Sequence, residues 1–179
     1  GAVKRDTSET SVNVELALDG AGAGRMNTGI RMFDHLLTQI ARHGLFDLSV
    51  SASGDNQHHV VEDVAICLGR ALNDALGDKS GIIRMAHAVV PMDESLALVA
   101  VDVSGRGAAF VDAPFTASVI GDLESDMVRH FLLTFASEAK LTLHARIECG
   151  QNDHHKAECL FKALARALDL SCSRDERRG

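Results

Sequence analysis

The 179-residue chain has no tryptophan, no tyrosine and only two prolines, so its core must be built from aliphatic residues, methionine and seven phenylalanines. It has no apolar run near the roughly 20 residues that a membrane-spanning helix needs. Its first ten residues, GAVKRDTSET, lack the basic-then-apolar layout of a signal peptide. No two of its four cysteines, Cys67, Cys149, Cys159 and Cys172, form a CxxC pair. That argues against a zinc–thiolate site and, with no secretion signal, for reduced thiols in a cytoplasmic protein. Basic excess is missing too: the formal net charge is −7, the wrong sign for a nucleic-acid-binding face. With 46% apolar and 24% charged residues, the composition is that of a globular domain long enough to bury a core.

What the chain has in excess is histidine: His35, His43, His58, His59, His87, His130, His144, His154 and His155. Such a count points to metal or acid–base chemistry. The histidines also repeat. HHVVEDVAICLGRAL begins at His58 and HHKAECLFKALARAL at His154, and each has a lone histidine upstream, His35 at 23 residues and His130 at 24. Between lone histidine and pair, both copies run through a helix-like segment, an alternating segment and a glycine-containing turn. Agreement in order, spacing and pattern marks an internal duplication within one domain, with pseudo-repeats at about 1–90 and 91–179.

Periodicity supplies the elements. Val12, Val14, Leu16 and Leu18 alternate with polar residues as in a half-buried strand, and SLALVAVDVSG is its counterpart. Residues 30–43 read as a helix with Gly44 as its C′ residue, 45–52 as strand, and 58–76 as a long helix stopped by Gly77. Residues 82–90 read as a strand running into Pro91, 123–136 as helix, 141–149 as strand and 152–170 as the last helix. A repeated ββ-α-β-α order favours an α+β fold with two sheets and the helices packed between or against them. No linker separates the halves, so they should share one core. SETS near the start and SCSRDERRG at the end are polar and expected to be loose.

On a helix, positions i and i+4 stack on one face while adjacent residues diverge by about 100°. His58 is thus a neighbour of Glu62, and His154 of Glu158, whereas the two rings of each pair point apart and suit two different ions. A single HHxxE is more often a solvated helix face than a ligand set. Two copies with matched upstream histidines argue instead for two pseudo-equivalent centres that include His35 and His130. Imidazole with one carboxylate per centre suits first-row metals better than magnesium or calcium. His87 and His144 have no matched partner and read as structural. His43 is kept as a substrate-contacting candidate.

Taken together, FDHLLTQIARHGLFDL, HHVVEDVAICLGRALNDALGDKSGIIRMAHAVVPMDESL, VDVSGR and CGQNDHHKAECLFKALARAL resemble the imidazoleglycerol-phosphate dehydratases of histidine biosynthesis. The resemblance runs from KRDTSET to DERRG. It implies a duplicated half-domain fold, a four-helix bundle between two four-stranded mixed β-sheets (ribosomal protein S5 domain 2-like). It also implies trimers assembling into a 24-mer, with two Mn²⁺ per active site at subunit interfaces and no nucleic-acid or membrane partner. Carried over by motif, one ion takes His58, Glu62, His130 and His154, and the other His35, His59, His155 and Glu158.

The implied reaction is loss of water from imidazoleglycerol phosphate to give imidazole acetol phosphate. Two metals on the ring nitrogens hold it as an imidazolate that acts as electron sink, so that C2 loses a proton and C3 hydroxide through a diazafulvene-like intermediate. Glu158 is the implied base, His35 belongs to the catalytic set, and Glu9 in RDTSET matches a mobile glutamate that approaches the metals. Gln39, His43, Arg84, Asp93, Arg106 and Lys162 match substrate-binding positions, the arginines suiting phosphate by their fork. Two departures from the family pattern stand out. GDNQ replaces a longer Ile-Asp-Asp-bearing stretch before the first His pair, and a Pro-Ser-Thr-Lys-Gly segment expected after DERRG is not in the sequence. Two other readings of the same metals are a dinuclear hydrolase of phosphate esters and a shell in which metal only joins subunits.

Overall fold

The alternation of Thr10–Ala17 becomes a strand whose residues are buried and exposed by strict turns. Val12, Val14 and Leu16 face inward, and the fold is built on such half-buried strands. The computed structural model describes residues 1–178, so of the expected loose end SCSRDERRG only Gly179 lies outside the described residues. In chain order the elements are β1 (Ala2–Asp6), β2 (Thr10–Ala17), β3 (Gly24–Asn27), α1 (Arg31–Gly44), β4 (Asp47–Gly54) and α2 (Gln57–Leu76). There follow β5 (Met85–Met92), β6 (Ser95–Asp102), β7 (Ala108–Asp112), β8 (Val119–Ile120), β9 (Leu123–Glu124), α3 (Asp126–Ala139), β10 (Thr142–Cys149) and α4 (Asp153–Cys172), then a 3₁₀ turn at Glu176–Arg178.

The strands form two four-stranded mixed sheets with one topology, β1-β2-β4-β3 and β5-β6-β10-β7, besides the small β8–β9 hairpin. In each sheet the last pair, β4 with β3 and β10 with β7, is parallel and the others are antiparallel. Helix α2 packs on β1 and β2 and against α3; α4 packs on β5 and β6 and against α1. The four helices thus lie between two mixed sheets, as expected. Phe131 of α3 contacts Phe33 of α1 at 5.6 Å, Phe135 at 5.8 Å and Phe161 of α4 at 5.4 Å. With no tryptophan or tyrosine available, this phenylalanine group joins the two halves, and the buried apolar residues of both form one cluster.

Several local expectations are corrected. Gly44 is the last helical residue of α1, not its C′ residue. Leu45 takes the left-handed position, at φ 55°, and Lys140 does so after α3 at φ 53°. Gly44 is required for space: a Cβ there would stand 2.5 Å from the Phe46 ring. Residues 123–124 belong to β9, so α3 starts only at Asp126. Strand β5 begins at Met85 and passes through Pro91, which is tolerated because β5 is an edge strand. The short strands β1, β3 and β7 had no clear sequence signal.

Neither polar end segment behaves as a loose one. Thr10 of SETS is buried and its hydroxyl donates to the Asp63 carboxylate, which also accepts from Arg5 Nε at 2.9 Å. Arg174 bridges to Ile82.

Candidate metal centre

Asn56 and Asn152 cap α2 and α4, their side chains accepting from the backbone N–H of His59 and His155 at 3.0 and 3.1 Å. Each cap satisfies an orphan donor and pins a His pair in the first helical turn, with Glu62 or Glu158 one turn on. The ring planes within each pair lie 88° and 87° apart, so the two imidazoles address different places.

Two groups result, each built from both halves. In the first, His35 of α1 meets His154 and Glu158 of α4: His35 Nε2 and His154 Nε2 lie 2.9 and 3.0 Å from Glu158 Oε2. In the second, His130 of α3 meets His58 and Glu62 of α2, with the two rings 4.5 Å apart and His130 Nε2 3.6 Å from Glu62 Oε1. In each group one donor atom per residue falls within 4.8 Å of the others. His130 Nε2 is buried and has no hydrogen-bond partner among the described residues. A buried imidazole nitrogen aimed at another imidazole and a carboxylate is what a metal ligand looks like before the ion is added. The donor sets therefore fit a first-row metal.

Within a single chain the donors fall together differently from the sets carried over by motif, which the resemblance places at subunit interfaces. Within a chain, His154 belongs with His35 and Glu158, because all of them lie on the α1–α4 seam; His58, Glu62 and His130 share the α2–α3 seam. The outer imidazoles join neither group, and His59 falls instead with Glu9 and Asp55 in a third set of possible donor atoms. His59 Nδ1 lies 2.8 Å from Asp55 Oδ1 and 3.6 Å from Glu9 Oε2, and His155 Nδ1 lies 2.8 Å from Glu94 Oε2. These contacts raise both imidazoles above the usual histidine value, against the opposing effect of burial. The same bonds hold the carboxyls of Asp55 and Glu94 well below their ordinary range, with backbone N–H groups of Asn152 and Gln151 adding to the effect at Glu94.

Glu158 is buried, which alone would raise its carboxyl. Hydrogen bonds from Lys162, at 2.8 Å, and from His35 outweigh that and hold it at about 2. Gln39 is buried one turn beyond His35, its amide donating to the His35 carbonyl. His43 lies farther along α1; burial first, then Lys162, Arg166 and Arg42, lower its basicity.

The arginines are elsewhere. Arg84 donates its backbone N–H to Ser171 at the C-terminal end of α4 and its side chain to both Asp102 oxygens, at 2.8 and 3.3 Å. The 17 residues from His154 to Ser171 correspond to about 25 Å of helix, so Arg84 cannot reach that chain's own His35–His154–Glu158 group. Arg106 shares this end: Val103 N–H donates to the Arg84 carbonyl, and Thr142, at the start of β10, lies beside the Arg106 carbonyl. Asp93 is exposed in the β5–β6 turn at φ 49°, 3.8 Å from His155 Nε2.

Sequence reasoning missed Asp55 and Glu94. Asp55 was visible only as part of the shortened GDNQ stretch. Glu94 is next to Asp93, and only the hairpin turn decides which of the two faces α4.

A family model described as imidazoleglycerol-phosphate dehydratase matches residues 28–168. The chain is 60% identical over 177 residues to the imidazoleglycerol-phosphate dehydratase of Dehalococcoides mccartyi, covering 99% of this chain and 90% of that protein. It is 54% identical over 167 residues to the one from Methanothermobacter thermautotrophicus, covering 92% and 86%. Among solved structures, the crystal structure of the Staphylococcus aureus enzyme superposes with a TM-score of 0.89 at 32% identity, covering 97% of this chain and 98% of that one. The Pyrococcus furiosus enzyme in complex with (S)-C348 gives 0.87 at 32% identity, covering 98% and 96%.

Proposed function

The chain belongs to the imidazoleglycerol-phosphate dehydratase family of histidine biosynthesis, a family of hydro-lyases, and from that premise we propose a two-metal site divided between neighbouring copies of the chain. The observation that carries this reading is the pair of pseudo-equivalent donor groups, each drawing on both halves, with His130 Nε2 left unpartnered inside one of them. One ion would be held by His35, His154 and Glu158 and the other by His58, Glu62 and His130, with His59 and His155 reaching to groups on an adjoining copy. Two divalent ions, manganese in this reading, would supply Lewis acidity to the two nitrogens of the substrate ring and so let the ring accept electrons.

The remaining work falls to the protein's side chains. Glu158 has one oxygen on Lys162 and the other on two imidazoles, and a carboxylate held at about 2 is a poor proton acceptor near neutral pH. Its role here is that of a ligand. Glu9, exposed at the β1–β2 turn beside His59, is assigned the C2 proton. Loss of that proton from C2 and of hydroxide from C3 gives an enol that tautomerises to the ketone. Gln39, His43 and Lys162 line the α1–α4 seam on the substrate side. Arg84 is held ready for phosphate by Asp102, and with Arg106 it serves the metal groups of a neighbouring copy, the trimer and 24-mer being the assembly this reading implies.

The matched topology of the two sheets supports reading the chain as a duplicated half-domain, with the second copy beginning at β5 rather than at residue 91. No helix among the described residues is long and apolar enough to cross a membrane, and the cytoplasm is the proposed location. The test is incubation of the metal-loaded protein with imidazoleglycerol phosphate. Formation of imidazole acetol phosphate is expected, and release of inorganic phosphate in its place would identify a hydrolase instead.

A further inference from the structure

The two His pairs are matched in sequence but differ in what holds their outer rings. We propose that Glu94 is a positioning residue that fixes His155 with its proton on Nδ1 and its lone pair on Nε2, whereas His59 Nδ1 is shared between the Asp55 carboxylate and the Asn56 amide, and that this division leaves Glu9 free. The proposal rests on reading His59 and His155 as metal ligands.

Glu94 uses both of its oxygens. Oε1 accepts from the backbone N–H of Gln151 at 3.1 Å and of Asn152 at 2.7 Å, and from Ser95 Oγ at 3.1 Å. Oε2 meets His155 Nδ1 at 2.8 Å. A carboxylate ringed by donors only accepts, so the hydrogen in the last bond belongs to the imidazole. A neutral ring with its hydrogen on Nδ1 carries its lone pair on Nε2, the arrangement that orients a ligating histidine. His155 Nε2 makes no hydrogen bond among the described residues, and neither does His59 Nε2.

The fold puts Glu94 in place at some cost. The β5–β6 turn consists of Asp93 and Glu94 alone, since Met92 pairs with Ser95, and Asp93 adopts φ 49°, which a non-glycine residue rarely takes. This hairpin presses so closely on the connection into α4 that a Cβ on Gly150 would fall 3.0 Å from Lys156 Cγ and closer still to Ser95 Oγ.

The first half is arranged differently. Its β1–β2 hairpin carries Glu9 followed by Thr10, as β5–β6 carries Glu94 followed by Ser95. Yet Glu9 Oε2 stops 3.6 Å from His59 Nδ1, which lies 2.8 Å from Asp55 Oδ1 and 3.0 Å from Asn56 Nδ2. Asp55 immediately precedes the cap of α2; the residue immediately preceding the cap of α4 is Gln151, which has no carboxylate. In this half the task of holding the ring lies with the helix lead-in rather than the hairpin. The Glu9 carbonyl accepts from Asp55 N–H at 3.0 Å, which ties the two segments together while the Glu9 carboxylate keeps no hydrogen bond of its own among the described residues.

The test is Glu94→Gln in the whole protein. Its amide oxygen keeps the bonds from Gln151 and Asn152, which turns the NH₂ toward His155 and drives the ring proton to Nε2. In metal-free protein labelled with ¹⁵N-histidine, at a pH where the ring is neutral, His155 is expected as the Nδ1–H tautomer and to switch in the variant. A wild-type ring protonated on Nε2 overturns the proposal.

Titration with Mn²⁺ alone, followed by the resonance of the free ion, is expected to show one of two sites per chain weakened between about 10- and 100-fold in Glu94→Gln. Asp112→Asn, an exposed carboxylate on β7, should weaken neither site. Unchanged Mn²⁺ affinity in a natively folded Glu94→Gln overturns the proposal. If that variant does not fold, Ser95→Ala, which removes one donor to the same carboxylate, should give a smaller loss at the same site, and no loss overturns it. Wild-type protein that binds no Mn²⁺ defeats the two-metal reading itself, while the tautomer measurement still decides what Glu94 does to the ring.

Discussion

At the scale of the residue, Glu158 shows how neighbours set a carboxylate's role. Burial opposes its charge, but Lys162 and His35 hold its carboxyl at about 2, well below the ordinary 4.5. A depressed folded value means its contribution to stability is fully present above about 4.5 and disappears as the pH falls through about 2. In metal-free protein, Glu158→Gln is therefore expected to flatten the dependence of melting temperature on pH between those limits. At neutral pH it should cost about 1–3 kcal/mol, because Lys162 loses a charged partner within a mostly buried contact. A variant that keeps the wild-type acid limb would show that the pairing with Lys162 does not stabilise the fold. The HHxxE spacing announced Glu158 in the sequence. Asp55 and Glu94 were not announced, since a single acidic residue in a turn carries no periodic signal.

At the scale of the element, the helices were legible and their ends less so. The N-terminal caps Asn56 and Asn152 stand immediately before the His-bearing segments, and both long helices begin there as expected. The C-terminal ends followed packing rather than glycine placement. Gly44 is needed for the close approach of Phe46, which leaves Leu45 to adopt the left-handed conformation, and Lys140 adopts it after α3. A non-glycine residue there costs about 1–2 kcal/mol. Lys140 is exposed, so Lys140→Gly is expected to stabilise the protein by about 1 kcal/mol in chemical denaturation. Unchanged or lowered stability would mean that this turn carries no such strain. The short edge strands β1, β3 and β7 could not be read from single segments because they are stabilised by the neighbouring strand rather than by their own pattern.

At the scale of the molecule, the two halves share one core. Phe131 reaches both α1 and α4, so Phe131→Ala should cost about 3–5 kcal/mol and lower a single unfolding transition. Two separate transitions, with only one displaced, would show that the halves fold independently. Arg84 and the His35–His154–Glu158 group stand at opposite ends of α4, and the proposed site therefore needs more than one copy. Mixing His154→Ala with Arg84→Ala, each expected to be at least about a hundredfold less active, should restore activity at about a quarter of the sites through random pairing of copies. No recovery in particles shown to contain both variants would place the metals and the arginine in one chain after all.

The sequence by itself determined the repeat, the four helices, the lone and paired histidines and the family, because each depends on spacing along the chain and helical geometry turns spacing into direction. Tertiary structure alone decided which histidine meets which. His154 joins His35 because α4 packs against α1, and His58 joins His130 because α2 packs against α3. It alone also showed that the arginines lie a helix length away, and that each outer imidazole is held by a carboxylate from a turn. Those relations depend on how elements pack against one another, which the order of residues within any one element does not specify.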